Sequence, residues 1–244
     1  PLRHNCTKDM ASEVGEWYDD FSVSQVKTSV NLRHYTIFNR LVEAGLKRNS
    51  NILEIGCGIG TLTGLIHSYI TKGTIAAADI SEKSLRIAQE NIKSDRIKFI
   101  LSDMSDFEEN VKYDFIIMPD VLEHIPINAH RNLFGVLTKH MHDESRILIH
   151  LPHPKAIEYL QKNHPEKLQI IDQAIYPDLL THNLAANNLL VTEYHSYGLF
   201  HNEIDYTFIT ICKNIQFQQT ELTKKKIILK KQFERIKYYM SLLK

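Results

Sequence analysis

Apolar positions first recur at helical spacing and then gather into short unbroken runs. Residues 10–48 hold no proline, and Val30, Phe38, Leu41 and Val42 can share one helical face, which predicts helix with a stop near Gly45. From Asn51 the period changes. Apolar runs at 51–55, 74–78, 98–101, 115–118 and 146–151 read as strands, separated by helices over about 60–70, from Ser81 onward and over about 128–141. Ser81 is a natural N-cap for the second of these. Buried-type strands alternating with helices call for an α/β fold with a parallel sheet covered on both faces.

Beyond the fifth strand the alternation breaks. The 37 residues 152–188 read as two helices, about 154–163 and 177–187, and exceed what one crossover needs. Two further strands, 189–195 and 206–212, are joined by only about ten residues that include Gly198; a parallel crossover needs a dozen or more, so the pair is antiparallel. From about residue 220 there is no Gly or Pro. Leu222, Leu229, Ile236 and Leu243 recur every seven residues, Phe233 and Met240 follow four after Leu229 and Ile236, and Lys226 interrupts the stripe. This predicts a C-terminal helix that packs on its own domain or pairs two chains into a homodimer; peripheral contact with an anionic membrane is the other reading. The expected organisation is an N-terminal helical cap (1–48), a core (49–213) with residues 152–188 as an inserted lid, and a basic C-terminal helix (214–244).

Charge sharpens this division. Lys+Arg and Asp+Glu are both 29, yet the segment from Lys213 holds nine basic and two acidic residues, a net +7 that leaves −7 on the rest. An acidic body suits a nucleic-acid phosphate backbone poorly. No apolar run approaches the ~20 residues of a membrane span. The first residues, PLRHNCTKDM, have no apolar signal-peptide core, and Cys6, Cys57 and Cys212 suggest neither a disulfide framework nor a zinc site. A cytoplasmic location is expected.

The densest chemical signal lies directly after the first strand, Glu54-Ile55-Gly56-Cys57-Gly58-Ile59-Gly60-Thr61. Glycines there admit close approach of a ligand to the backbone, and a helix N-terminus follows. The spacing is G-x-G-x-G; the dinucleotide fingerprint needs glycine where Thr61 stands, which disfavours a nicotinamide oxidoreductase. Asp79 ends the second strand at the position of a ribose-binding acid. Asp103 follows the third strand and can receive an adenine amino group, with Ile80 and Met104 against the ring. Pro119-Asp120-Val121-Leu122-Glu123-His124 follows the fourth. Polar loops at the carboxyl ends of four successive strands define one crevice.

With these residues together, the chain resembles the class I S-adenosylmethionine-dependent methyltransferases over roughly residues 15–212, and is most similar to their small-molecule branch. ILEIGCGIG at 52–60 matches the first motif, Asp79 the ribose acid, Asp103 with Met104 the adenine site, and FIIMPD at 115–120 the fourth motif. Gly56, Gly58 and Glu54 match residues beneath the methionine portion; Cys57, Gly60, Pro119 and Asp120 complete the expected cofactor wall. The resemblance implies a Rossmann-like seven-stranded sheet ordered 3-2-1-4-5-7-6 with an antiparallel strand seven. It implies S-adenosylmethionine as cofactor and a methyl acceptor as substrate. The Asn/Asp-Pro-Pro-Tyr loop of base-amine methyltransferases is absent, since Met118-Pro119-Asp120-Val121 stands there, so no nucleic-acid partner is expected.

A hydroxyl acceptor must lose a proton as it attacks. His124 is the candidate base, because imidazole titrates near pH ~6.5, and Glu123 either orients it or faces elsewhere. O-methylation of a small molecule is the leading expectation. An amine acceptor, or a non-catalytic cofactor-binding subunit, is the alternative. Tyr18, Arg33, His34, His150 and His153 are candidate substrate contacts, and Arg33 reads either as a clamp for the cofactor's or acceptor's carboxylate or as a solvated or salt-bridged arginine. Trp17, Tyr18 and Phe21 serve either as core or as cover for the cofactor. Glu54 also reads as a plain strand-end acid. His150-x-x-His153 lacks a carboxylate at fixed spacing, so no metal is expected.

Overall fold

Ile52–Ile55 (β1) is buried at every position, as a strand must be when helices cover both faces of its sheet. The other strands are β2 (Ile75–Asp79), β3 (Ile97–Leu101), β4 (Tyr113–Pro119), β5 (Met141–Pro152), β6 (Leu189–Tyr197) and β7 (Tyr206–Lys213). The computed structural model describes residues 30–216 and 221–242. The strands form one sheet in the order β3-β2-β1-β4-β5-β7-β6. β7 runs antiparallel to both neighbours, and the remaining pairs are parallel. This is the order the resemblance implies, and the short Gly198 link joins the antiparallel pair as its length requires.

Helices α1 (Leu32–Glu43), α2 (Thr61–Tyr69), α3 (Glu82–Asn91), α4 (His130–Lys139), α5 (Pro154–Asn163) and α6 (Pro177–Ala185) accompany the sheet. Successive strand side chains point to opposite faces and divide the core in two. Ile52, Phe115 and Ile117 pack with Ile37 and Leu41 of α1 and Leu62 and Ile66 of α2. Leu53, Ile55 and Met118 pack with Leu133, Phe134 and Leu137 of α4 and Leu180 and Leu184 of α6.

Three differences from the sequence reading have local causes. Helix α1 starts only at Leu32, because Asn31 caps it: its side chain accepts from the Arg33 and His34 amides, and the His34 ring accepts from the Asn31 amide. Its buried positions are Ile37 and Leu41, whereas Val42 is exposed. The expected 128–141 helix is a 3₁₀ turn at Ile127–Ala129 followed by α4, since Pro126 leads the chain in with extended backbone. Tyr18, Trp17, Phe21 and most of the expected N-terminal cap lie outside the described residues.

The chain divides into two units between Asn214 and Ile215. The second contains helix α7 (Lys224–Ser241), whose N-cap Thr223 accepts from the Lys226 amide. No helix among the described residues is long and apolar enough to cross a membrane.

Candidate active site

The loop after β1 turns in a way that favours glycine. Gly56, Gly58 and Gly60 have φ of 74°, 52° and 84°, in the left-handed region that costs other residues roughly 1–2 kcal/mol. A Cβ on Gly56 would sit 2.3 Å from Cγ2 of Val121, so the post-β1 and post-β4 loops touch only because that side chain is missing. Gly60 is the N-cap of α2 and lies under Ile92 and Ala88. It shapes the turn without lining the cavity.

Asp79, at the end of β2, holds this turn in place. Oδ2 accepts from the Gly58 amide at 2.7 Å and Oδ1 from the Ser81 amide at 2.9 Å. Asp79 also lines the cavity. Glu54 lies beneath, fully buried, with Oε2 accepting from the Thr63 hydroxyl at 2.7 Å and Oε1 without a hydrogen bond among the described residues. Burial pushes its carboxyl up to about 8, only partly countered by Thr63. Burial likewise raises the Cys57 thiol, with Asp79 and Glu54 adding to it, so Cys57 is an inert wall residue.

After β3, Asp103 is exposed and its Oδ1 accepts from the Ser105 amide at 2.9 Å. Met104 has φ 64° and sends its side chain into the core beside α4 while still bordering the cavity. Asp120 follows β4 with φ 54°, and its amide donates to the His150 carbonyl at 2.7 Å. His150 Nδ1 meets Asp120 Oδ1 at 2.6 Å, and Arg33 Nη1 lies 2.6 Å from Asp120 Oδ2. Burial works against the Asp120 charge, but His150 and Arg33 outweigh it and hold the carboxyl below its ordinary value. Asp120 in turn raises the Arg33 guanidinium.

A cavity of about 330 Å³ opens over these strand ends, within the usual range of small-molecule sites. It is lined by Glu54, Gly56, Cys57, Gly58, Asp79, Ile80, Asp103, Met104 and Pro119, and also by Asn31, Arg33, His34, Asp120, His124 and Gln169. Glu123, His150 and His153 are not on the wall. Glu123 is buried behind His124, His150 acts from behind Asp120, and His153 caps α5 by accepting from the Lys155 amide. His34 is committed to the α1 cap; burial and Arg33 hold its ring down to about 4, so it is neutral.

The segment between α5 and α6 reaches back over the post-β4 loop. His124 Nδ1 lies 2.6 Å from the Ile171 carbonyl and 3.2 Å from Asp172 Oδ1. The Gln173 amide donates to the Glu123 carbonyl, its side-chain amide donates to the Glu123 and Ile125 carbonyls, and its Oε1 accepts from the Ile127 amide. Sequence reasoning missed Asn31, Val121, Gln169, Asp172 and Gln173. Only Asn31 carried a usable signal, as an asparagine ahead of a helical run.

A family profile described as "Methyltransferase domain" matches residues 46–201, more than half of the chain. The chain belongs to that family. Its curated relatives include the malonyl-[acyl-carrier protein] O-methyltransferase of Priestia megaterium, 31% identical over 100 residues, covering 41% of this chain and 34% of that protein. The enzyme of the same name from Anoxybacillus flavithermus is 27% identical over 137 residues, covering 56% and 49%. The matches thus span between a third and a half of the length of these relatives. Among solved structures, the magnesium protoporphyrin IX methyltransferase of Synechocystis PCC 6803 with bound S-adenosylhomocysteine aligns with a TM-score of 0.66 at 17% identity, over 83% of this chain and 99% of that one. The fold of this methyltransferase is therefore the Rossmann-like fold of the S-adenosylmethionine-dependent class. The glycine cradle, the orphaned buried oxygen of Glu54 and the acid at Asp79 suit a cationic adenosyl cofactor. Among the described residues there is no group of three or more His, Cys, Asp or Glu side chains arranged to hold a metal.

Proposed function

We propose that this methyltransferase moves the methyl group of S-adenosylmethionine to an oxygen of a small or carrier-borne acceptor, and that the acceptor oxygen belongs to a carboxylate. Asp79 would hold the ribose hydroxyls, Asp103, Met104 and Ile80 the adenine, and Gly56–Gly58 with Glu54 the methionine portion. The cofactor supplies an activated methyl on a sulfonium. The chain supplies position, the exclusion of water and charge.

The observation that carries the choice of acceptor is the setting of His124, whose Nδ1 lies 2.6 Å from the Ile171 carbonyl and 3.2 Å from Asp172 Oδ1. Burial opposes its charge, but Asp172, Glu123 and the Ile171 carbonyl outweigh burial and push the imidazole up to about 9. Burial pushes the neighbouring Glu123 carboxyl up to about 8, against the pull of His124. The pull of Asp172 and the Ile171 carbonyl favours the protonated imidazole, the wrong form for the base that a hydroxyl acceptor would need. A carboxylate needs no base, and Arg33 and His124 both line the cavity. The two curated relatives, both named as O-methyltransferases of malonyl-[acyl-carrier protein], support the same choice.

The pH profile tests this. The pull on His124 favours folding and acceptor binding below the ordinary imidazole value near 6.5, and it is lost as pH rises through about 9. With a malonyl thioester as acceptor, kcat/KM should fall as pH rises through that window. A rise, as neutral imidazole forms, would restore His124 as a base and overturn the carboxylate reading. His124→Gln should raise the acceptor KM about tenfold or more, the scale of one lost charge-assisted contact, while the cofactor Kd measured by calorimetry stays within about twofold.

A further inference from the structure

Asp120 is hydrogen-bonded on one side and only ion-paired on the other. Its backbone is tied to the His150 carbonyl, and Oδ1 meets His150 Nδ1. His150 is 1% exposed and is itself fixed: its Nε2 lies 2.9 Å from the Tyr197 hydroxyl, and the Tyr206 ring stacks on it with centroids 4.8 Å apart. This chain of polar groups crosses β4, β5 and β6 and keeps the carboxylate in place without help from Arg33. The Oδ2 side differs. Arg33 Nη1 is close to it, yet the buried oxygen accepts no hydrogen bond among the described residues. The Arg33–Asp120 contact is thus charge attraction without hydrogen-bond geometry, and Arg33 has a second partner in the Tyr206 hydroxyl. Asp120 borders the same cavity as Gly56, Val121 and His124.

We propose that Asp120 is an exchange site for two cations: the sulfonium of the cofactor displaces Arg33 from the carboxylate, and the displaced guanidinium anchors the carboxylate of the acceptor. This rests on the function proposed above. One anion in a low-dielectric pocket cannot hold both cations to equal advantage, so loading the cationic cofactor readies the site for an anionic acceptor. Transfer then removes both charges together. The methyl carbon bonds to a carboxylate oxygen, the sulfur–methyl bond breaks with its electron pair left on sulfur, and a neutral thioether and a neutral ester result. Arg33 then returns to Asp120, which favours release of both products.

Calorimetry on the full chain tests the exchange without turnover. The ratio of the S-adenosylhomocysteine Kd to the S-adenosylmethionine Kd should rise at least threefold in Arg33→Met, where nothing competes for Asp120. It should stay near the wild-type value in Arg33→Lys, and fall toward one in Asp120→Asn and in the double variant. Equal weakening of both ligands in Arg33→Met would mean that Arg33 grips the shared amino-acid end, and would overturn the exchange, as would an unchanged ratio in Asp120→Asn. If neither ligand binds the wild-type chain, it is the cofactor assignment that fails. With malonate as probe, wild type should bind at least fivefold more tightly beside an unreactive analogue bearing an ammonium in place of the sulfonium than beside S-adenosylhomocysteine. Equal malonate affinity in the two would overturn the role given to the freed Arg33.

Discussion

Replacing Asp79 with alanine is expected to weaken S-adenosylmethionine binding by a factor of ten to several hundred. Two losses combine. The ribose hydroxyls lose their acceptor, worth roughly 1.5–3 kcal/mol for hydrogen bonds to a charged group. The Gly58 and Ser81 amides lose the carboxylate that holds the turn and the approach to α3 in shape. Calorimetric titration separates the two. Asp79→Asn keeps one acceptor oxygen and should recover part of the affinity, while Asp79→Ala should also lower the melting temperature. Unchanged cofactor affinity in Asp79→Ala would refute the ribose assignment.

Gly56→Ala is expected to damage fold and site together. The new Cβ would meet Val121 Cγ2 at 2.3 Å at a φ of +74°. Overpacking typically costs about 1–3 kcal/mol, and left-handed backbone adds roughly 1–2 kcal/mol for a residue with a Cβ. For a chain of this size that corresponds to a fall in Tm of about 5–15 °C, with cofactor affinity reduced at least tenfold because the displaced Val121 lies on the cavity wall. Val121→Ala should restore part of both in the double variant, since it removes the colliding methyl. A double variant no better than Gly56→Ala would show that backbone strain, not the collision, dominates.

The sheet was largely legible before any coordinates, because buried strands and glycine turns write themselves into local runs. The apolar runs at 52–55 and 115–118 lie in β1 and β4, and Ser81 caps α3 as expected. Gly56 directly follows β1, Asp79 ends β2 and Asp103 stands two residues past β3, so chain position alone brings them to one cavity. The cluster around Asp120 carries no such signal. Arg33, Asp120 and His150 meet across more than a hundred residues of sequence, and no spacing rule announces such a contact. His124 meets Asp172 and the Ile171 carbonyl, which come from the stretch between the two predicted helices of 152–188, where no periodicity runs. His153 looked like a partner to His150 in sequence, yet the turn into α5 claims it as a cap.

Gln173 bears on how this enzyme can be altered. Its three hydrogen-bonding groups satisfy the Glu123 and Ile125 carbonyls and the Ile127 amide, so the post-β4 loop borrows its backbone partners from a segment some fifty residues away. Exchanging that segment for a relative's, to graft a new acceptor preference, would strand those groups unless the incoming stretch carries an equivalent amide at the same place. The segment that carries Gln173 is therefore not a detachable module, and chimeras should be cut outside both stretches rather than between them.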